Sequence, residues 1–303
     1  MTGPIDELLT LRDLLRYAVS RFREAGIAYG HGTTNALDEA AFLLLWGLNL
    51  PIDQLDPFVD ARLTRAEREK LLALIDARAT TRKPAAYLTG EAWIRGHRFV
   101  VTEDVIVPRS FIGELLAGEG VSVLMSGDPP ARILDLCTGS GCLAILAALA
   151  FPDAEIDAVE LSASALLVAQ KNVTDYGLEA RIKLFEGDLF APLQGQRYDF
   201  IISNPPYVTD AAVAAFPPEH ASEPIMAHAG GLDGLTIVRR ILAEAPTILA
   251  PDGQLLVEVG SGQNVLAAEY PHLPFLWLDT EESTGEVFLL PGQALGPPRK
   301  KRK

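Results

Sequence analysis

Four consecutive residues, Asn204-Pro205-Pro206-Tyr207, combine groups suited to holding a planar NH2. The side-chain oxygen of Asn204 and the backbone carbonyl of Pro205 can each accept one N–H, and a proline holds its own carbonyl steady because its ring fixes φ. An amide nitrogen is a poor nucleophile, since its lone pair is delocalised into the carbonyl. Two rigid acceptors orient that nitrogen and favour the positive charge that develops as it attacks an electrophilic methyl group. Tyr207 offers a flat wall against a planar substrate. The four residues follow the apolar run Phe200-Ile201-Ile202-Ser203, where a Pro-Pro pair must end strand pairing. Strand termination alone gives no reason for Asn and Tyr to flank it.

A second constellation, Asp135-Leu136-Cys137-Thr138-Gly139-Ser140-Gly141-Cys142, lies between an apolar strand and a helix. Its glycines let a ligand approach the backbone, and the helix start offers free N–H groups. Gly139-x-Gly141-x-x-Ala144 also fits the dinucleotide fingerprint, and Glu160, ending the next strand, suits ribose hydroxyls in either reading. The loop therefore leaves a nicotinamide enzyme and a methyltransferase open. Gly187-Asp188-Leu189 ends the third strand, where a carboxylate can accept an adenine amino group. Together with the tetrad, it favours methyl transfer.

The elements that must position these groups alternate. From residue 132 onward, strands are expected at 133–137, 155–161, 182–185, 198–203 and 254–259, with helices at 143–150, 163–176 and 235–249 between them. Two further strands, 275–278 and 286–290, close the sequence. This specifies an α/β fold with a parallel sheet covered by helices and an antiparallel pair at the end. The first 84 residues read as a small helical domain. Leu8, Leu9, Leu11, Leu14, Leu15, Ala18 and Phe22 recur at helical spacing before Gly26, Asn35 or Thr34 can cap a second helix, and Thr64-x-x-Glu67 forms a capping box for a third. Residues 85–110 are rich in β-formers broken by Gly90 and Gly96 and are expected to form a hairpin linker. A catalytic domain then spans 111–295.

The chain of 303 residues is 49% hydrophobic and 22% charged, a globular composition, with a formal net charge of −14. A duplex-binding protein usually carries a basic face, and the acidic balance disfavours one here. The exception is Arg299-Lys300-Lys301-Arg302-Lys303 after Gly296-Pro297-Pro298. The tail 296–303 is expected to be disordered and solvated, the sharper reading being an arm that contacts rRNA or the ribosome. No basic start precedes an apolar run, and no apolar stretch is long enough to span a bilayer. No membrane association and a cytoplasmic location are expected. Cys137 and Cys142 read as structural or loop-lining residues. The five histidines are scattered along the sequence, so no metal is expected.

Taken together, Asp135 to Gly141, Glu160, Asp188 and Asn204 to Tyr207 resemble a class I S-adenosylmethionine-dependent methyltransferase of the amino-methylating kind. The helical start, hairpin and C-terminal Rossmann-like domain resemble the HemK-type protein glutamine methyltransferases over nearly the whole chain. One branch of that family, which acts on release factors, has Pro-Arg-Pro-Glu-Thr-Glu after the hairpin. Pro108-Arg109-Ser110-Phe111-Ile112-Gly113-Glu114 instead resembles the branch that methylates ribosomal protein L-three. Tyr29-Gly30-His31-Gly32-Thr33, Gly96-His97-Arg98-Phe99 and Gly230-Gly231-Leu232-Asp233-Gly234-Leu235 point the same way.

The resemblance implies N(5)-methylation of a glutamine in that protein, met free or on the assembling large subunit, with the helical domain serving substrate recognition. S-adenosyl-L-homocysteine is then the second product. Glutamine methylation of release factors and adenine N(6) methylation are the alternatives. By the same resemblance Asp135, Cys137, Thr138, Gly139, Ser140 and Gly141 surround the methionine end of S-adenosylmethionine, and Glu160 binds its ribose. Asp188 and Leu189 flank the adenine. Asn204, Pro205, Pro206 and Tyr207 hold the glutamine amide, with Asn204 also touching the cofactor. Arg109 is expected over the cofactor or in a linker salt bridge, and Glu223-Pro224 near the substrate.

Overall fold

A computed structural model describes residues 3–118 and 128–296, so the basic run 299–303 lies outside the described residues. The chain divides into two compact units. The first comprises Met1–Ala92, Val101–Glu103 and Phe216–Glu223, and the second comprises Trp93–Val100, Asp104–Ala215 and Pro224–Lys303.

The first unit is helical. Its helices Leu11–Glu24, Ala36–Gly47 and Arg65–Thr81 bury Leu11, Leu14, Phe22, Leu43, Leu44, Leu71 and Ile75 in one core. Asn35 caps the second helix by accepting from the N–H groups of Leu37 and Asp38, and Thr64 with Glu67 forms the expected box on the third. The first helix starts later than its apolar rhythm suggests. Thr10 and Asp13 make a further capping box, and the apolar spacing of Leu8 and Leu9 continues through that break because packing, not helicity, sets it. A short helix, Ala85–Thr89, also occupies the start of the segment expected to be hairpin. Arg78 is fully buried and ion-paired to Glu39. The segment Phe216–Glu223 joins this unit although it lies far along the chain. There Glu219 accepts from the Ala28 N–H at 3.0 Å and pairs with Arg82 at 2.7 Å.

Strands β1 (Glu91–Ile94) and β2 (His97–Val100) pair as the hairpin. The second unit is built on a sheet of β3 (Arg132–Leu136), β4 (Glu155–Glu160), β5 (Ile182–Glu186), β6 (Tyr198–Ser203), β7 (Leu249–Glu258), β8 (Leu276–Asp279) and β9 (Thr284–Pro291). Their order is β5-β4-β3-β6-β7-β9-β8. The first five are parallel, and β9 is antiparallel to both β7 and β8. Period-two alternation sends Ile133, Phe200 and Ile202 into one core layer and Leu134, Leu136 and Ile201 into the other. Helix Cys142–Ala150 is apolar on nearly every side because it is buried against the first layer. Helix Thr236–Glu244 presents Val238, Ile241 and Leu242 to the second. Each such fully buried aliphatic side chain stabilises the fold by roughly 2 kcal/mol.

The turn after β3 is held from below. Asp135 is fully buried and accepts from the Thr138 hydroxyl. Asn172, on helix Ala163–Asp175, donates to the carbonyls of Ser140 and Val100 and accepts from the Val100 N–H at 2.7 Å. Burial pushes the Asp135 carboxyl up to about 7. An acid raised by folding stabilises the native state most below its unfolded value, and that contribution is lost as pH rises through the folded value. Between about pH 4 and 7, Asp135→Asn should therefore gain stability relative to the parent chain, by a few kcal/mol at most. Urea unfolding at pH 5 and pH 8 measures this. A parent–variant difference that does not change with pH would contradict it.

Candidate active site

Strand order reverses at β3, whose neighbours β4 and β6 lead in opposite directions. Connections leaving such a point diverge and open a crevice at the carboxyl ends of the strands. A cavity of about 370 Å³ occupies that position, within the range that buries a small organic ligand. Glu160 ends β4 at its wall, and its two oxygens accept from the N–H groups of Gly139 and Ser162, both at 2.9 Å. These bonds pin the carboxylate in place while each oxygen keeps a further acceptor site. Asp188 lines the cavity beyond β5, with both oxygens bound by the Arg240 guanidinium at 3.0 and 2.9 Å. Val159, Leu189 and Ile237 supply apolar wall between the two carboxylates.

Cys137 also lines the cavity, in a left-handed conformation with φ 59°. Such a backbone normally favours glycine, so this side chain is carried at a strained position. Burial, reinforced by Glu160 and Asp135, pushes its thiol well above the ordinary range, and burial raises Cys142 to about 12. Neither sulfur is a thiolate nucleophile near neutral pH.

Asn204 and Pro206 reach the same cavity from the end of β6. The Asn204 amide donates from Nδ2 to the Arg109 carbonyl at 3.2 Å. That bond uses one of the two N–H donors and fixes the amide plane, while Oδ1 remains an acceptor. Tyr207 is fixed at its far end, where its hydroxyl donates to Oε1 of Glu258 at 2.8 Å. The other oxygen of Glu258 accepts from the Ser110 hydroxyl at 2.6 Å and the Phe111 N–H at 2.9 Å. One buried carboxylate at the end of β7 thus ties the tetrad to the Pro108-Arg109-Ser110 segment. Burial pushes the Glu258 carboxyl above its ordinary range, and burial together with the adjacent carboxylate raises the Tyr207 phenol. Close packing completes the support. A Cβ on Gly260 would stand 2.7 Å from the Tyr207 ring, and one on Gly234 would stand 2.2 Å from the Tyr207 carbonyl.

Of the residues singled out in the sequence, Cys137, Gly139, Glu160, Asp188, Leu189, Asn204 and Pro206 line one cavity. Asp135, Thr138, Ser140, Gly141, Pro205 and Tyr207 are not part of that wall. Among these, Asp135 and Thr138 bond to each other, the Ser140 carbonyl accepts from Asn172, and Tyr207 points to Glu258. Arg109 meets the tetrad through its carbonyl, which accepts from Asn204, and its charge acts on the Tyr207 phenol. Glu223 is buried in the first unit near His31, while Pro224 lines the cavity. Sequence reasoning missed Glu258, Arg240 and Asn172. Glu258 carries the one available signal, an acid ending the apolar run Leu255-Leu256-Val257.

Glu258→Gln replaces an acceptor of three donors with a group that must turn an NH2 toward some of them. The expected loss is about 1–3 kcal/mol of stability, with turnover falling more than affinity for the small-molecule ligand. Denaturant unfolding and calorimetric titration test this, and unchanged stability together with unchanged turnover would refute it.

Comparison with known proteins follows the same lines. The family model described as the methyltransferase small domain matches residues 120–217. The ribosomal protein uL3 glutamine methyltransferase of Bordetella pertussis is 55% identical over 291 residues, covering 95% of this chain and 97% of that protein. Its counterpart from Bradyrhizobium diazoefficiens is also 55% identical, covering 93% and 90%. Among solved structures, the hMettl16 catalytic domain in complex with a MAT2A 3'UTR hairpin superposes with a TM-score of 0.52 at 17% identity. That match covers 79% of this chain and 85% of that one and shows a shared fold. With relatives this similar along almost its full length, the chain belongs to the family of ribosomal protein uL3 glutamine methyltransferases.

Proposed function

We propose that this chain transfers a methyl group from S-adenosylmethionine to the side-chain amide nitrogen of a glutamine in ribosomal protein uL3, giving N(5)-methylglutamine and S-adenosylhomocysteine. The observation that carries the reading is the placement of Asn204 on the cavity wall, with one N–H of its amide held by the Arg109 carbonyl and its oxygen available as an acceptor. The names of the relatives support the substrate.

The cavity residues fit the cofactor by their chemistry. A nucleoside presents hydroxyl and amino donors separated by a flat apolar base, and the wall offers acceptors at Glu160 and Asp188 separated by Val159, Leu189 and Ile237. When bound, the cofactor supplies an electrophilic methyl on a positively charged sulfur. Glu160 then accepts from ribose hydroxyls, and Asp188, steadied by Arg240, accepts from the adenine amino group. Asn204 Oδ1 and the Pro205 carbonyl accept the two N–H groups of the glutamine amide, holding its nitrogen toward the methyl carbon. With the cofactor bound, these acceptors would hold the amide nitrogen for methyl transfer, in which an N–C bond would form as the S–C bond breaks and one amide proton would pass to solvent. Near-attack placement and stabilisation of developing charge by fixed acceptors account for the acceleration. No side chain needs a pKa near neutrality.

The direct test offers labelled S-adenosylmethionine with purified uL3, a peptide-chain release factor and duplex DNA in parallel, and maps the label by mass spectrometry. Label on a uL3 glutamine alone is expected. Label on the release factor or on DNA instead would overturn the substrate assignment.

A further inference from the structure

The five histidines are dispersed in the sequence, yet the fold brings two of them against a buried carboxylate. His31, His220 and Glu223 each offer a ligand atom, and these atoms lie within 4.8 Å of one another. All three residues belong to the first unit, His220 and Glu223 through the inserted segment Phe216–Glu223. His31 is 2% exposed, and neither of its ring nitrogens has a hydrogen-bond partner among the described residues. A buried imidazole left in that condition is costly. Its Nε2 stands 3.5 Å from Oε2 of Glu223, whose side chain is fully buried.

We propose that His31, His220 and Glu223 form a binding site for a divalent transition-metal ion of the zinc class, which clamps the segment Phe216–Glu223 into the helical unit. Two imidazoles and one carboxylate are a donor set suited to zinc, with one coordination position left for a further ligand. Bonds of about 2.0–2.1 Å in a tetrahedral arrangement separate donors by roughly 3.4 Å, and the His31–Glu223 pair already stands at that separation. The His31 and His220 rings meet edge-on with centroids 4.4 Å apart, and Phe216 stacks on His220 at 4.1 Å, which fixes the plane of that ring. Closing on an ion takes only a small inward shift of the half-buried His220. Of the neighbouring carboxylates, Glu39 is held by Arg78 and Glu219 by Arg82. Sequence spacing hides the site because His31 and His220 stand far apart along the chain.

The test uses the full chain without a histidine tag, stripped with a chelator and titrated with Zn2+ by calorimetry. Thermal unfolding with and without Zn2+, and the visible spectrum with Co2+, are read in parallel. One ion per chain is expected, with a Co2+ spectrum of low coordination number and a rise in Tm on adding Zn2+. His220→Phe preserves the stacking on Phe216 and should weaken binding at least tenfold, as should Glu223→Gln. Both should lose the Tm rise while remaining folded by circular dichroism. Failure to bind Zn2+, or equal binding by the parent chain and a folded variant, would overturn the proposal.

Discussion

A carboxylate buried at the end of a sheet strand must collect donors or give up its charge, and Glu258 collects three. Its oxygens take the Tyr207 hydroxyl, the Ser110 hydroxyl and the Phe111 N–H. The consequences spread in two directions. Tyr207 is immobilised, which sets the path of the tetrad leaving β6. The chain at Ser110 is immobilised too, which sets the Arg109 carbonyl that orients Asn204. The amide plane of a cavity-lining residue, Asn204, is thus set by a residue outside the cavity wall.

The parallel sheet provides the frame in which this small network can act. Because strand order reverses at β3, the connections after β3, β4, β5 and β6 open around one crevice. Glu160 is fixed by backbone N–H groups from the turns on either side of it, and Asp188 by a guanidinium from a later helix. The site is therefore preorganised by bonds to backbone and to rigid elements. Such an arrangement suits a reaction that needs positioning and charge stabilisation more than proton transfer.

Most of the fold was legible because its signals are local. The alternation of strands and helices, the Asn35 cap, the Thr64-x-x-Glu67 box and the strand-ending prolines all act within a few residues of themselves. The Thr10 cap is masked in the sequence because Leu8 and Leu9 continue the apolar rhythm through the break. The cavity-lining half of the candidate site is legible as well, since Gly139, Glu160, Asp188 and Asn204 each lie at or just beyond the carboxyl end of a strand. What could not be read were partners fixed by tertiary closure. Arg240 meets Asp188, Asn172 meets Val100 and Ser140, and His31 meets Glu223 across separations that carry no periodic or compositional trace. The inserted segment Phe216–Glu223, which leaves the catalytic unit and packs with the helices, is illegible for the same reason.

The central claim is that Asn204 acts on the substrate amide through its oriented oxygen. Asn204→Ala tests it when cofactor affinity, by calorimetry, and single-turnover methyl transfer to uL3 are measured on the same preparation. The account predicts affinity within a few-fold of the parent chain and a transfer rate lower by about 100-fold or more. A variant that loses cofactor affinity but transfers methyl at the parental rate would contradict it.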